Sequence, residues 1–130
     1  MKRPAHAISA AIFGLLLTTL ASGQHAARIT FARGATSKVV SGTLNGYKDE
    51  RRFVIRVRAG QTLNTEQVGN HSITIFITDP AGQDVDNSDM SCNNRREVTP
   101  TVAGDYHIVV VECQKADRWK GTFKFRVTVK

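Results

Sequence analysis

The four histidines are the side chains of this sequence best suited to acid–base chemistry near neutral pH. His6 lies in the N-terminal apolar segment, and His25 follows that segment closely. His71 stands in a turn sequence. His107 occupies a strand-like segment on the opposite parity from its apolar neighbours, which favours a solvent-facing or packed side chain over a catalytic base. No serine lies in a nucleophile elbow and no glycine-rich phosphate loop is present. These absences do not exclude an enzyme, but nothing in the sequence supports one, and the protein is predicted to bind a partner without catalysing a reaction.

A run of acidic residues offers oxygen ligands of the kind that calcium prefers. Asp84, Asp86 and Ser88 fall at alternate positions, as the first ligands of an EF-hand loop do. The sixth position of such a loop needs glycine but carries Asp89, and the twelfth needs glutamate but carries Arg95. The pattern therefore excludes an EF-hand and favours a solvated loop, with weak calcium binding by an irregular loop left open. No metal or other cofactor is predicted.

Residues 114–121 carry the side chains best suited to binding a partner. They include Lys115, Arg118 and Lys120, as well as Trp119, the only tryptophan of the chain. Arginine and tryptophan are enriched among the residues that dominate binding energy at protein interfaces. The composition also fits a tryptophan that folds back over the edge of the domain while the cations stay in solvent. Composition alone slightly favours this second interpretation.

The first 23 residues have the composition of a secretory signal peptide. Lys2 and Arg3 form a basic start, an apolar stretch runs over residues 7–21, and Ala21-Ser22-Gly23 supplies small residues for cleavage before Gln24. A membrane anchor is the weaker alternative, because the apolar run falls short of the roughly 20 residues of a membrane span. The sequence therefore predicts a periplasmic or secreted protein whose first 23 residues are removed.

Residues 24–130 are predicted to form one small basic domain. The whole chain has 18 Lys and Arg against 11 Asp and Glu, and two of the basic residues lie in the predicted signal peptide, which leaves a net charge of +5. Such a charge favours acidic partners, anionic lipid or nucleic acid without choosing among them, and solubility alone would also explain it. Export argues against nucleic acid, and the lack of a second apolar run argues against membrane insertion.

Cys92 and Cys113 both lie in the predicted mature chain. An even number of cysteines in an oxidising compartment favours a disulfide. It would close a loop of about 22 residues and stabilise the fold by roughly 3 kcal/mol in the chain-entropy model. A metal or redox pair is the alternative, but the spacing matches neither a C-x-x-C motif nor a zinc site.

From Arg28 onward, apolar residues recur with a period of two, which is typical of half-buried antiparallel strands. Shorter strands are predicted around Ile29, Phe31 and Val39. In the longer strands, the side chains predicted to face the core are Phe53, Ile55, Val57, Ile73, Ile75, Ile77, Tyr106, Ile108, Val110, Phe123, Phe125, Val127 and Val129.

Turn sequences separate these segments, among them Asn45-Gly46, Ala59-Gly60 and Ala103-Gly104-Asp105. No window after residue 24 supports a helix of useful length. The predicted fold class is therefore all-β: a single antiparallel β-sandwich, jelly-roll-like, of about seven or eight strands.

Several segments carry a resemblance to a known family; in chain order they are residues 29–34, 41–47, Phe53, 58–63, 103–106 and the closing strand 123–130. Together they resemble the periplasmic inhibitors of g-type (goose-type) lysozyme, and residues 29–34 are similar to the inhibitors' first strand. The same elements, with residues 79–82, are also similar to the bacterial pre-peptidase C-terminal domain. That family is a non-catalytic β-sandwich appended to secreted hydrolases. The two families look alike in fold.

Three features favour the inhibitors. The domain is expected to stand alone behind its own signal peptide, whereas the other family is usually attached to an enzyme, and Gly46-Tyr47 follows Ser41-Gly42 at the inhibitor spacing. Arg118 lies in the loop before the last strand, where the inhibitors carry basic residues that enter the lysozyme cleft. The cysteine pair is not part of the inhibitor pattern.

The resemblance implies a periplasmic protein inhibitor whose partner is g-type lysozyme, with no cofactor. Tyr47 and Arg118 are expected to dominate binding, with Lys115, Trp119 and Lys120 secondary. The alternative function is a non-catalytic binding module for carbohydrate, cell wall or an extracellular protein. The sequence leaves the oligomeric state open.

Overall fold

The alternating segments of the sequence form eight β-strands in the computed structural model, which describes residues 25–85, 92 and 95–130. They are β1 (Ala27–Arg28), β2 (Ser37–Asn45), β3 (Glu50–Val57), β4 (Leu63–Gln67), β5 (Ile73–Thr78), β6 (Arg95–Val98), β7 (Gly104–Glu112) and β8 (Lys120–Val129). Among the described residues there is no helix long and apolar enough to cross a bilayer. The predicted signal peptide lies outside those residues.

The strands form two four-stranded sheets, ordered β1-β3-β7-β5 and β2-β8-β4-β6. β1 pairs with β3 in parallel, and the other strand pairs of the two sheets are antiparallel. The prediction of an all-β sandwich is confirmed. Strands that are distant in the chain pair with each other, β2 with β8 and β3 with β7, so the ends of the sandwich bring distant loops together.

The core lies between the two sheets and contains every side chain that the period-two pattern placed there. Phe53 of one sheet packs edge-on against Phe123 and Phe125 of the other, with ring centroids 6.3 and 5.5 Å apart. Aromatic pairs prefer this geometry, because the positive ring edge meets the negative ring face. His107 points outward and is exposed, as its parity predicts.

The strand predicted around Val39 is present as β2, whereas the one predicted around Ile29 and Phe31 is misplaced. Within β2, Val39 is 47% exposed, and Val40 is buried and pairs with the core residue Phe125. Successive strand residues face opposite sides, so in a Val-Val pair only the pairing register decides which one is buried. The strand expected around Ile29 and Phe31 is shorter and earlier: β1 ends at Arg28, although both side chains still pack on the core.

Strand register gathers three loops at one end of the sandwich. The last residue of β2, Asn45, pairs with Lys120 at the start of β8. At the same end, Ile73 at the start of β5 pairs with Glu112 at the end of β7. The loops that join these strand ends are residues 46–49, 68–72 and 113–119. We call this end of the sandwich the Tyr47 end.

Candidate docking site

Tyr47 and Arg118 contact each other at the Tyr47 end, although they lie far apart in the sequence. The Cζ atom of Arg118 lies 5.1 Å from the centroid of the Tyr47 ring, within the range of a cation–π interaction. The Tyr47 hydroxyl donates a hydrogen bond of 2.5 Å to the carbonyl oxygen of Ala116. Tyr47 therefore holds the 113–119 loop and also supports the guanidinium that this loop presents.

The turn that carries Tyr47 is fixed by its neighbours. Gly46 has a φ of +92°, which glycine adopts at little cost. The Asp49 carboxylate accepts backbone hydrogen bonds from Asn45 and Glu50 at 3.0 and 2.9 Å, and one from the Arg51 guanidinium at 2.7 Å. Desolvation acts to raise the pKa of Asp49, but these hydrogen bonds outweigh it and lower the pKa below its usual value.

Trp119 packs back onto the edge of the domain, which is the arrangement that the composition of its loop slightly favoured. Its indole N–H donates a hydrogen bond of 3.1 Å to the carbonyl of Ser72. The ring stacks on His71, with centroids 4.3 Å apart and an interplanar angle of 11°. It is half-buried and contacts the core, whereas Arg118 and Lys120 on either side are exposed.

The two loops enclose an open, cationic pocket of about 510 Å³. Its lining residues are Asn45, Gly46, Tyr47, Lys48, Arg118, Trp119 and Lys120. Three of them are cations and none is acidic, so the pocket favours a negatively charged group. Lys48 is a lining residue that the sequence reasoning missed, although its position directly after Gly46-Tyr47 was a usable signal.

The five residues proposed for partner binding do not all lie together. Tyr47, Arg118, Trp119 and Lys120 line the pocket, whereas Lys115 is exposed elsewhere on the loop and is not among the lining residues. The structure thus gathers four of the five, and their roles in binding remain predictions.

Glu112 is a second residue that the sequence reasoning missed. It is fully buried, and its carboxyl Oε1 accepts the backbone N–H of Trp119 at 2.6 Å. The sequence did contain a signal, because residue 112 shares the inward parity of Ile108 and Val110. Its charged type concealed that signal, since glutamate is almost never fully buried without a partner.

The predicted disulfide between Cys92 and Cys113 is present, with a Cα–Cα distance of 4.9 Å. Cys113 is fully buried, and its backbone N–H donates a hydrogen bond of 3.0 Å to the carbonyl of Ser72. The first residue of the 113–119 loop is therefore tied both covalently and through the backbone.

No group of acidic, histidine and cysteine side chains suited to a metal ion occurs among the described residues. Most of the calcium-loop candidate lies outside them: Asp84 is described, but Asp86, Ser88 and Asp89 are not.

No protein-family model and no curated protein sequence matches this chain. Solved structures do. The crystal structure of Aeromonas hydrophila PliG, a periplasmic inhibitor of g-type lysozyme, aligns with a TM-score of 0.62 at 20% identity, over 81% of this chain and 96% of that one. Salmonella Typhimurium PliG, described in the same way, aligns with a TM-score of 0.58 at 19% identity, over 79% and 96% of the two chains.

A pre-peptidase C-terminal domain of a Bacillus anthracis collagenase is also similar. It aligns with a TM-score of 0.50 at 15% identity, over 83% of this chain and 97% of that domain. At such identities the likeness shows the fold. The chain therefore has the sandwich fold of the PliG inhibitors and of the pre-peptidase domain, and both resemblances noted in the sequence are confirmed at that level.

Proposed function

We propose that this protein is a periplasmic inhibitor of g-type lysozyme, and that its Tyr47 end blocks the cleft in which the enzyme cleaves peptidoglycan. The observation that carries the proposal is an exposed arginine held over a tyrosine ring at the mouth of a cationic pocket, on a domain with the PliG fold. In this account the protein binds and occludes and performs no reaction of its own.

The chemistry of the target suits such a group. Glycoside hydrolases generally use a pair of carboxyl groups on either side of the scissile bond. A guanidinium offers planar, paired N–H donors that fit a carboxylate better than an ammonium does. Arg118 inserted among those carboxyl groups would occupy the place of the sugar and neutralise the groups that act on it.

Preorganisation supports the same proposal. The 113–119 loop is tied at its start by the disulfide, at Ala116 by the Tyr47 hydroxyl and at Trp119 by the Glu112 carboxyl. A loop that is ordered before binding loses less conformational entropy on docking. The cost of ordering the arginine is therefore met largely during folding.

Charge supports rapid association. Lys48, Arg118 and Lys120 lie around one pocket, and positive potential of this kind attracts an acidic cleft before contact. We therefore expect the rate of association to fall as the salt concentration rises, while the rate of dissociation changes less.

The test is inhibition of lysis. The mature protein, purified with its disulfide intact, is incubated with g-, c- and i-type lysozymes while the clearing of a peptidoglycan suspension is followed. We expect inhibition of the g-type enzyme below micromolar concentration. No inhibition of that enzyme at micromolar protein would overturn the proposal.

Export is part of the proposal, and the PliG neighbours are periplasmic proteins. Mass spectrometry of the protein isolated from its host should give a chain that begins near Gln24. An intact Met1 in a membrane fraction would contradict both the cleavage and the periplasmic location.

A general binding module for cell wall, carbohydrate or an extracellular protein is the second candidate. The fold it shares with the pre-peptidase domain favours it. Co-sedimentation with peptidoglycan in the absence of any lysozyme separates binding to the cell wall from inhibition of lysozyme. A binding module for the wall would pellet with it, whereas an inhibitor would stay in solution.

A further inference from the structure

Glu112 is the last residue of β7. Among the acidic residues that the structure describes, it is the one that is fully buried. Burial of a carboxyl group costs free energy unless hydrogen bonds replace its water. Its Oε1 atom has such a bond, the 2.6 Å contact from the Trp119 N–H. That donor lies in the loop, one residue before β8 begins at Lys120. The buried carboxyl therefore connects the end of one strand to the start of the next across the loop.

Trp119 is held from three sides as a result. Its backbone N–H bonds to Glu112, its indole N–H bonds to the Ser72 carbonyl, and its ring stacks on His71. Of these three contacts, the bond to Glu112 fixes the main chain. Since Arg118 is the preceding residue, the main-chain position of Trp119 also determines where the guanidinium emerges.

The second oxygen of the carboxyl, Oε2, lies directly behind the turn that carries Tyr47. A Cβ atom built on Gly46 would lie 3.9 Å from Glu112 Oε2 and 3.9 Å from Arg118 Nε. The Glu112 carboxyl and the Arg118 side chain therefore both approach the backbone of Gly46. Oε2 makes no hydrogen bond to the described residues.

We propose that Glu112 is a positioning residue that fixes Arg118 through the backbone of Trp119. The expected effect of Glu112 on lysozyme affinity rests on the function proposed above. The expected effect on the position of Trp119 in the free protein does not, because it depends only on contacts within the chain.

The only tryptophan of the chain is at the contact in question, so its fluorescence reports on the loop directly. Glu112→Ala removes the acceptor, and Glu112→Gln keeps an amide oxygen that can accept the same N–H. We expect acrylamide to quench Trp119 at least about twofold more effectively in Glu112→Ala, with emission shifted to the red. Glu112→Gln should stay close to the wild-type protein in both properties.

Affinity for g-type lysozyme should follow the same order. We expect Glu112→Ala to bind at least about tenfold more weakly, and Glu112→Gln to remain within about threefold of the wild-type protein. Glu97→Ala is the matched control, since it removes an exposed glutamate from strand β6, and it should change neither fluorescence nor affinity. Equal quenching in Glu112→Ala and wild type would overturn the proposal.

Amide hydrogen exchange in the unmodified protein tests the contact even if Glu112→Ala fails to fold. We expect the Trp119 amide to exchange at least about a hundredfold more slowly than the amide of Asp117 in the same loop. Equal rates would overturn the proposal. The two proposals can also fail separately. A protected Trp119 amide and wild-type fluorescence in Glu112→Gln would support the positioning role. If the wild-type protein then did not bind lysozyme, only the proposed function would fail.

Discussion

The two ends of the sandwich both carry a concave, basic surface, but they are built differently. At the end opposite Tyr47 lies a pocket of about 600 Å³, compared with about 510 Å³ at the Tyr47 end. Arg56, Arg58 and Lys130 are among its lining residues. By volume and charge alone, the opposite end would be as good a candidate as the site proposed here.

At the opposite end, the segment that carries Arg58 is held through its main chain, by the buried Thr101 and by the Gln61 side chain, whose Oε1 accepts the Arg58 N–H at 2.7 Å. The Thr101 hydroxyl donates to the carbonyl of Arg58 at 2.6 Å, and the Thr101 N–H donates to the carbonyl of Gln61 at 2.9 Å. These bonds order the main chain and leave the Arg58 side chain exposed. At the Tyr47 end, the side chains of Tyr47 and Glu112 bond to the loop that presents Arg118.

The number of cations at each end is therefore a weaker guide to function than the way in which each cation is held. Within the described part of the chain, Arg118 is the cation that lies over an aromatic ring. A charge fixed before binding loses little entropy on docking, whereas a mobile charge loses more. The account therefore predicts that equivalent substitutions at the two ends have unequal effects.

The largest difference in affinity for g-type lysozyme is expected between Arg118→Ala and Arg58→Ala. If Arg118 pairs with carboxylates in a closed cleft, its loss leaves them unpaired and costs about 2 to 5 kcal/mol of binding free energy. That corresponds to an affinity loss of about 30- to 4,000-fold. Arg58→Ala should weaken binding by less than about threefold. Titration of g-type lysozyme with each variant checks this, and equal losses would remove the distinction between the ends.

Removal of the disulfide should lower the free energy of unfolding by about 3 kcal/mol, since the disulfide crosslinks a loop of about 22 residues. The expected result for Cys92→Ser with Cys113→Ser is a fold that is retained but unfolds at lower denaturant concentration. Chemical denaturation measures the loss. A thiol assay on the denatured, unreduced wild-type protein should read near zero, and two titratable thiols would refute the disulfide.

Two tyrosine hydroxyls give a smaller and more specific contrast. Tyr47→Phe removes the bond to Ala116 and should weaken lysozyme binding by about 0.5 to 1.5 kcal/mol. Tyr106→Phe removes the hydroxyl that accepts the N–H of Val102 at 3.0 Å at the opposite end. It should lower the melting temperature and leave affinity unchanged. Loss of affinity in Tyr106→Phe would show that the two ends are coupled.

The smallest effect concerns acid stability. The pKa of Asp49 is lowered in the folded protein, so its contribution to stability is present above the unfolded value of about 4 and is lost as pH falls through the lower folded value. Asp105 at the opposite end behaves alike, because the hydrogen bond and charge of Arg28 outweigh desolvation and lower its pKa. Asp49→Asn or Asp105→Asn should therefore make the melting temperature fall less steeply below about pH 4. An unchanged slope in both variants would contradict the lowered pKa of these two residues.

The sequence predicted the core well because alternation in a strand is a local property. Every long-strand position chosen by parity is buried, including Phe53 and Ile108. Parity cannot choose between two adjacent apolar residues such as Val39 and Val40, since pairing with β8 decides which one is buried. Glu112 has inward parity, but its charged type concealed this in the sequence, and only the return of the loop shows that the Trp119 N–H satisfies its carboxyl.

The site could be predicted only in part. Arg118 and Trp119 were found from the composition of one loop, and Tyr47 from a resemblance. Their contact depends on how the β2–β3 and β7–β8 connections meet, which is set by strand pairing between distant segments. Hydrogen bonds such as the one from Tyr47 to Ala116, 69 residues apart, leave no pattern in one sequence.

In the proposed function, Tyr47 and Arg118 act as one unit on a lysozyme cleft. Calorimetric titration of g-type lysozyme with the wild-type protein, Tyr47→Ala, Arg118→Ala and the double variant tests it most directly. The account predicts a loss of more than about tenfold for each single change, and a combined loss smaller than the product of the two, because each change disrupts the same contact. Losses below about tenfold for both single variants would contradict the account and place the binding surface elsewhere.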